Sequence, residues 1–245
     1  MNKTEIELQY DICDKSDNAI PVIIVAAGAS SRMKGINKQF MPILGVPVIA
    51  RTLMAFERCN DISKIIVVTS KESVIDMQLI CEKYAISKLC DIIVGGNCRH
   101  QSVMAGIERL DNNDKKVLIH DGARPFVETK IICAVVDALN DFDAALCVSK
   151  INDTVKKLSD DGIVAATIDR SMLYSAQTPQ GVDVEKYKIA CQSISNVEAL
   201  TDDASIMENA GYTVKAVIGS GRNIKITTPD DISIAEAFVR GENEV

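Results

Sequence analysis

The stretch PVIIVAAGASSRMKGINKQF, residues 21–40, joins an apolar run to a loop of small residues and cations. The run PVIIVAA is rich in β-branched residues and ends at a glycine, which predicts a buried strand. The small residues of the loop let backbone N–H groups approach an anion, and Arg32, Lys34 and Lys38 follow. Such a loop can hold a polyphosphate, although short Gly/Ser loops are also ordinary surface turns. It contains neither a G-x-G-x-x-G motif nor a P-loop.

Beyond this stretch, apolar runs alternate with segments of helical periodicity. Three more runs predict buried strands: KIIVVTS (64–70), DIIVGG (91–96) and KVLIHDG (116–122). Strands without polar alternation, separated by amphipathic helices, predict a mostly parallel sheet with helices on both faces. Ligands of such α/β sheets bind at the carboxyl ends of the strands. We therefore expect one site where the segments after Ala27, Val94 and His120 meet.

The pattern changes after about residue 145. Two alternating, partly polar stretches flank Asp160-Asp161-Gly162, which predicts a β-hairpin. A hairpin alone is marginal in water, so we expect it to pack on something else, such as another subunit.

The remaining pattern predicts a return to helices and strands. We expect a helix capped by Thr201 and ended by Gly211, and a last helix opened by Thr228-Pro229. TVKAVIGS (213–220) and NIKIT (223–227) are predicted strands.

Composition narrows the possible partners. The 245 residues carry 27 Lys+Arg against 34 Asp+Glu, a net charge of −7, and 47% of the residues are apolar. An acidic chain has no global attraction for nucleic acid or anionic membranes, so a phosphate site must be a local cluster of cations and amides. No apolar run approaches the ~20 residues of a membrane span. The polar start, residues 1–20, lacks the pattern of a secretory signal and predicts a flexible extension.

The eight cysteines include no Cys-x-x-Cys pair and mostly lie in apolar segments. We interpret them as small buried hydrophobes in a reducing compartment, which predicts a cytoplasmic location. No four-ligand zinc spacing is present.

Three further segments could carry chemistry, each with an ordinary alternative. In HDGARPFV (120–127), Asp121 ends a predicted strand and could bind Mg²⁺ beside phosphates, or could pair with Arg124 to fix a turn. We interpret His120 as a packed strand residue rather than a catalytic base.

The glycines of GGNCRHQS (95–102) could form a tight wall against a flat base, or a plain strand-to-helix turn. Lys225 in RNIKIT (222–227) could face a cleft, or could be a solvated edge-strand lysine.

Taken in order, these segments resemble a known family. VAAGASSRM, NKQF, GGNCRHQSV, HDGARPFV, NDTVKK, DR with TPQ, TDDAS and GSGRNIKIT are similar to motifs of the 2-C-methyl-D-erythritol 4-phosphate cytidylyltransferases of the non-mevalonate isoprenoid pathway. The resemblance spans about residues 21–240. It implies one Rossmann-like nucleotidyltransferase domain over 21–240, with a protruding β-arm at about 148–172 that makes a homodimer.

The resemblance also implies an activity and its ligands. CTP and the sugar-alcohol phosphate would give the CDP-alcohol and pyrophosphate, with Mg²⁺ or another divalent cation as cofactor. No nucleic acid or membrane partner is expected.

The resemblance implies a role for each residue that matches a family motif. It implies three catalytic residues: Arg32 and Lys38 match the cations that hold the triphosphate, and Lys225 matches the cation that contacts the reacting α-phosphate. Positions around the nucleotide are Ala26, Ala27, Gly28, Ala29, Gly96, Ser102, Asp121 and Gly122. Asp121 is also the metal carboxylate, and the positions implied to bind the sugar phosphate are Asp121, Arg124, Thr154, Arg170, Thr178 and Lys225. Thr154 and Arg170 would come from the partner's arm.

Several positions depart from the family pattern while the cations stay. Ser30, Asn37 and Gly122 stand where many members carry glycine, proline and alanine.

Three other functions remain open from the sequence. They are a cytidylyltransferase for another acceptor such as ribitol 5-phosphate, a Rossmann oxidoreductase, and a catalytically silent nucleotide-binding protein.

Overall fold

A computed structural model describes residues 19–28 and 37–242 of the chain. Most of the predicted extension lies outside the described residues, as do Ala29, Arg32 and Lys34 of the predicted phosphate loop. Ile20, the last residue of the predicted extension, is buried as the first residue of a strand.

The strands form one large sheet and two small ones. In chain order the strands of the described ranges are β1 (Ile20–Val25), β2 (Pro42–Ile43), β3 (Val46–Pro47), β4 (Ile62–Thr69), β5 (Leu89–Val94), β6 (Lys116–Asp121), β7 (Ala144–Lys150), β8 (Val155–Leu158), β9 (Val164–Ile168), β10 (Tyr174–Asp183) and β11 (Val214–Ile218). The large sheet has the order β11-β7-β10-β6-β1-β4-β5. Only β10 runs antiparallel to its neighbours β6 and β7, so the prediction of a mostly parallel sheet is confirmed.

Helices cover both faces of this sheet. They are α1 (Val48–Glu57), α2 (Val74–Lys83), α3 (Arg99–Ile107), α4 (Thr129–Ala138), α5 (Val184–Ser193), α6 (Asp203–Asn209) and α7 (Pro229–Glu242). The side chains of β1 alternate between two cores, because successive strand residues point to opposite faces. Ile24 packs in the core beneath α1, α2 and α4, and Ile23 packs in the core beneath α3, α5 and α6.

The predicted hairpin is present as a separate two-stranded sheet. Val155 pairs with Ile168 across β8 and β9, and Gly162 in the connecting turn has φ +82°. That positive φ suits a residue without Cβ. Exposed apolar side chains lie on and beside the hairpin, including Leu158, Val164 and Met172.

Two predictions about the second half were wrong. Residues 223–227 form no strand in the described part of the chain; the N–H of Ile226 donates instead to the carbonyl of Ala123, at 2.8 Å. The cap of α6 is Asp202 rather than Thr201, because the Asp202 carboxylate accepts the Ser205 N–H at 3.0 Å. Gly211 does follow the helix end, with φ +82°.

The long strand β10 was not predicted from the sequence. Pro179 lies inside it, and proline normally argues against an interior strand. The pairing with β7 shifts register between Ala176 and Gln180, so this irregular part of the ladder accommodates the proline. Within the described ranges, no helix combines the length and apolar character needed to cross a membrane.

Candidate active site

The carboxyl ends of the central strands meet as predicted. The backbone hydrogen bonds of the sheet continue one residue past β6 and β5. The Gly122 N–H donates to the Val25 carbonyl at 2.9 Å, and the Gly95 N–H donates to the Thr69 carbonyl at 2.8 Å. The segments after β1, β5 and β6 therefore share one edge, with the loop of small residues starting from it. This edge is where ligands of α/β sheets bind.

Asp121, the last residue of β6, lies among three cations at this edge. Its Oδ2 is 2.8 Å from Lys225 Nζ and 3.5 Å from Arg124 Nε, and its Oδ1 is 3.6 Å from Arg99 Nε. The sequence offered an Asp121–Arg124 pair as one alternative, and the resemblance implied that Lys225 belongs to the same site; neither gave Arg99 a role. Arg99 also pairs with a second carboxylate, Asp203, so the three cations exceed the two carboxylates by one positive charge on a chain that is negative overall.

The neighbouring cations keep Asp121 ionised. Burial on its own would raise the pKa of this carboxyl, but the charges of Lys225, Arg99 and Arg124 outweigh burial and hold the pKa well below its ordinary value. Asp121 is therefore a carboxylate at any physiological pH.

His120 and Thr178 support the strand end from below. The Asp121 N–H donates to Thr178 Oγ1 at 3.1 Å, and Thr178 Oγ1 is 3.0 Å from His120 Nδ1. The other ring nitrogen, Nε2, lies 3.2 Å from the Arg124 carbonyl, which can only accept, so the proton is assigned to Nε2 and the Thr178 hydroxyl donates to Nδ1. Burial lowers the pKa of His120 to about 3, so the ring is neutral.

The sequence led to predictions for both His120 and Thr178. His120 is fully buried with its ring edge against Phe56, as expected for a packed residue. Thr178 is also buried, and its hydroxyl is occupied by the Asp121 N–H and His120. In this chain Thr178 positions the Asp121 backbone.

A buried network behind Arg99 was missed by the sequence reasoning. Arg99 Nη2 donates to Asp203 Oδ2 at 2.7 Å, and the Tyr187 hydroxyl donates to Asp203 Oδ1 at 2.8 Å. Asp203 is completely buried. Burial would lower the pKa of Arg99, but Asp203 raises it well above its ordinary value, so the guanidinium stays charged. Arg99 and Asp203 lie in the segments GGNCRHQSV and TDDAS, but no pattern within either segment indicates that the two residues pair.

Asn223 holds the loop that carries Lys225. Its side-chain amide donates to the Thr178 carbonyl at 2.8 Å, and its own carbonyl accepts from Arg124 Nη1 at 2.8 Å. The segment after β11 is thus tied to β10 and to the loop after β6. These bonds take the place of the ladder predicted for NIKIT and bring Lys225 to Asp121.

The glycine pair after β5 lies in close contact with its surroundings. A Cβ on Gly95 would fall 2.6 Å from Ala27 Cβ and 2.7 Å from Ser102 Oγ, and one on Gly96 would fall 2.4 Å from Gln101 Cβ. Ser102 is buried, and its hydroxyl donates to the Cys98 carbonyl at 3.0 Å. Packing between the strand ends and α3 therefore leaves no room for a side chain at Gly95 or Gly96, which is compatible with both alternatives stated for these glycines.

The remaining predicted positions are less closely joined. Ala26 is buried and Gly28 exposed at the end of β1, and a Cβ on Gly122 would lie 2.9 Å from Ile49 Cδ1. Lys38 begins a short 3₁₀ turn.

Thr154 and Arg170 are exposed on either side of the hairpin. Among the described residues of one chain, no hydrogen bond or ion pair joins either residue to the Asp121 cluster.

The sheet order and the phosphate-compatible cluster at its carboxyl edge define a class, the α/β nucleotidyltransferases. The comparison with known families gives the particular one: the 2-C-methyl-D-erythritol 4-phosphate cytidylyltransferase family matches residues 20–241, and this chain belongs to it.

Individual relatives agree with this assignment. The chain is 40% identical over 220 residues to the 2-C-methyl-D-erythritol 4-phosphate cytidylyltransferase of Halalkalibacterium halodurans, covering 89% of this chain and 96% of the relative. It is 39% identical over 229 residues to that of Syntrophus aciditrophicus, covering 91% and 97%. The 4-diphosphocytidyl-2C-methyl-D-erythritol synthase structure from Anaerococcus prevotii superposes with a TM-score of 0.81 at 32% identity, covering 91% of this chain and 96% of that one.

Proposed function

We propose that this chain transfers the cytidylyl group of CTP to 2-C-methyl-D-erythritol 4-phosphate and releases pyrophosphate, a step of isoprenoid precursor synthesis. The observation that carries the proposal is the cluster of Lys225, Arg124 and Arg99 around Asp121. The chain that contains this cluster belongs to the 2-C-methyl-D-erythritol 4-phosphate cytidylyltransferase family. Two polyanions must meet in this reaction, and a local group of cations at the sheet edge allows it.

The bond changes need little proton chemistry from the protein. An oxygen of the acceptor's phosphate monoester attacks the α-phosphorus of CTP, while the bond from that phosphorus to the bridging oxygen breaks and pyrophosphate leaves. The monoester is mostly a dianion at neutral pH, so no strong general base is required. The buried, neutral His120 is not placed to act as one. Catalysis then consists of positioning and charge neutralisation.

Lys225 is the residue to which we assign contact with the reacting phosphate. Its side chain is 38% exposed, whereas those of Asp121 and Arg124 are 10% and 12% exposed. An incoming phosphate can therefore attract the ammonium away from Asp121 while Arg124 and Arg99 keep the carboxylate paired. Arg124 stays at the acceptor side, and Arg32 and Lys38 hold the triphosphate in this proposal.

The nucleotide base is assigned to the other end of the same edge. Ala26, Ala27 and Gly28 directly follow β1, and Gly96 lies two residues after β5. Small residues there let the backbone approach a flat base closely. Ser102 lies beside Gly95 and Thr178 lies behind Asp121, both with their hydroxyls occupied, so we assign them a supporting role.

Asp121 can hold Mg²⁺ if phosphates of the bound nucleotide supply further ligands. Asp121 offers a single carboxylate, and among the described residues the three-donor groups do not include it. Mg²⁺ usually combines one or two carboxylates with substrate phosphates and waters, so Asp121 together with CTP phosphates would hold it. When bound, the ion would supply charge compensation for the phosphates.

We further propose a homodimer in which the hairpin of one subunit contributes Thr154 and Arg170 to the site of the other. The exposed apolar residues Leu158, Val164 and Met172 support a covered surface at the hairpin.

A mixing experiment tests this arrangement. Lys225→Ala inactivates the catalytic cluster of its own subunit, and Arg170→Ala inactivates the hairpin that serves the partner's site. When the two variants are mixed, half of the dimers contain one subunit of each kind, and one of the two sites in such a dimer is intact. The mixture should therefore regain about a quarter of wild-type activity. No recovery, with exchange of subunits shown by mass, would contradict an arm that works in the partner.

We place the enzyme in the cytoplasm. The seven described cysteines are free thiols, which suits a reducing compartment.

A pyrophosphate-release assay tests the proposed reaction. CTP with 2-C-methyl-D-erythritol 4-phosphate should give release that depends on both substrates and on Mg²⁺. Replacing the acceptor by ribitol 5-phosphate, or CTP by ATP, GTP or UTP, should lower the rate strongly. A higher rate with ribitol 5-phosphate would assign the alternative acceptor, and no release with any pair would favour a silent nucleotide-binding protein.

A further inference from the structure

Two thiols and a carboxylate converge at the edge of the sheet opposite the catalytic site. Cys59 follows α1, Asp61 directly precedes β4, and Cys133 lies within α4. Their ligand atoms lie within 4.8 Å of one another. The Asp61 carbonyl accepts the N–H of Ile20, the first residue of β1, so the group lies at the amino edge of the sheet. The nucleotidyl-transfer chemistry therefore does not use it.

The spacing of the two sulfur atoms matches a tetrahedral thiolate site. Cys59 Sγ and Cys133 Sγ are 3.7 Å apart. Two thiolates bound to one Zn²⁺ at about 2.3 Å each, at the tetrahedral angle, are separated by roughly 3.8 Å. A disulfide needs the sulfur atoms at about 2.05 Å, so the observed pair suits a shared cation without further approach.

The burial and charge of the group also suit a cation. Cys59 and Asp61 are buried, while Cys133 is partly exposed and leaves a route for an ion and a water. Lys88 Nζ donates to the Cys59 carbonyl at 2.6 Å. Two thiolates and one carboxylate are then balanced by this ammonium and one divalent cation, which removes the cost of burying unpaired charge.

We propose that Cys59, Cys133 and Asp61 bind a thiophilic divalent cation such as Zn²⁺, with water in the fourth position. Because its ligands come from the end of α1, the start of β4 and the middle of α4, the ion joins three elements of one core. It stabilises the fold and leaves the catalytic edge unchanged.

Cobalt titration of the full-length, chelator-treated protein tests the proposal. Co²⁺ should produce a near-ultraviolet thiolate charge-transfer band and the visible bands of tetrahedral cobalt, at one equivalent, and Zn²⁺ should abolish them. Zn²⁺ at a hundredfold excess over its Kd should raise Tm by about 5–10 °C, with turnover unchanged.

Matched cysteine variants locate the ligands. Cys133→Ser should weaken Zn²⁺ binding on the order of 100-fold and remove the charge-transfer band, and Asp61→Asn should weaken binding at least about tenfold. Cys191→Ser is the control, because Cys191 is an equally half-buried helical thiol outside the group. An absent thiolate band in the wild type, or Zn²⁺ affinity unchanged in Cys133→Ser, would overturn the site. A Cys59–Cys133 disulfide in protein alkylated at cell lysis would overturn it as well.

Discussion

The ammonium group of Lys225 lies 2.8 Å from Oδ2 of Asp121, and this ion pair joins the loop after β11 to the end of β6. Asp121 keeps Arg99 and Arg124 as partners when Lys225 turns toward a phosphate. Removal of Lys225 therefore leaves no buried charge in the cluster unpaired.

From this geometry we predict that Lys225→Ala folds normally but loses turnover by a factor on the order of 10²–10³, as after loss of one preorganised charge donor. CTP affinity should change much less, because the other cations remain. Steady-state kinetics and CTP titration measure the two effects, and Lys188→Ala, at an exposed lysine of α5, is the control. Near-wild-type turnover would remove Lys225 from the mechanism.

Arg32→Ala should behave in the same way as Lys225→Ala if Arg32 holds the triphosphate. We expect normal folding and a loss of turnover that exceeds the loss of CTP affinity. The same two measurements apply, and unchanged turnover would exclude that role.

Asp203 should act on the site through Arg99. Asp203→Asn keeps an acceptor for Tyr187 but removes the charge that anchors the guanidinium, so we expect turnover to fall about tenfold or more, as for other supporting partners. Tyr187→Phe separates stability from positioning, because it removes the 2.8 Å hydrogen bond to Asp203 and keeps the charge of Asp203 that anchors Arg99. It should lower the free energy of unfolding by about 1.5–3 kcal/mol in urea titrations and leave turnover nearly unchanged. Equal turnover in both variants would argue against a positioning role for Asp203.

Burial of neutral His120 should make the fold sensitive to mild acid. Its pKa is about 3 in the folded chain against an ordinary 6.5, so between these values the unfolded chain binds a proton that the folded chain does not. Stability from this group is complete above pH 6.5 and falls toward pH 3, by up to about 1.4 kcal/mol per pH unit. His120→Gln should flatten the pH dependence of the unfolding free energy between pH 6 and 4.5.

The chain supplies a matched control for that measurement. It has two histidines, and the other, His100, is half-buried. His100→Gln should alter the slope less, and a slope unchanged by His120→Gln would contradict the account.

Gly95 should tolerate no side chain. A Cβ there would lie 2.6 Å from Ala27 Cβ, so Gly95→Ala should cost about 1–3 kcal/mol of unfolding free energy through overpacking. Gly221→Ala is the control, because nothing lies within 4 Å of its Cβ position. Equal stability of the two variants in thermal or urea unfolding would show that the strand ends can shift.

Local patterns predicted the parts of the fold in which neighbours along the chain decide the structure. The apolar runs of β1 and β6 and the Asp-Gly turn before β9 each follow from a few adjacent residues. The irregular strand β10 did not, because its proline resembles a strand breaker until β6 and β7 are known to flank it.

The residues of the site also include some that local patterns predicted and others that they did not. Asp121 was predictable, since a carboxylate at the end of a buried parallel strand must lie at the ligand edge. Arg99 and Asp203 were not, because their hydrogen bond joins α3 to the start of α6, and no pattern in either segment specifies the other.

The sequence alone determined the alternation of strand and helix, the family motifs and a cation-bearing carboxyl edge, because periodicity and strand-end chemistry are local properties. The tertiary structure decided which buried partners hold these groups: Thr178 beneath Asp121, Asp203 behind Arg99, and Cys133 beside Cys59. Those contacts depend on strand order and on helix packing across the sheet, which bring together residues far apart in the chain.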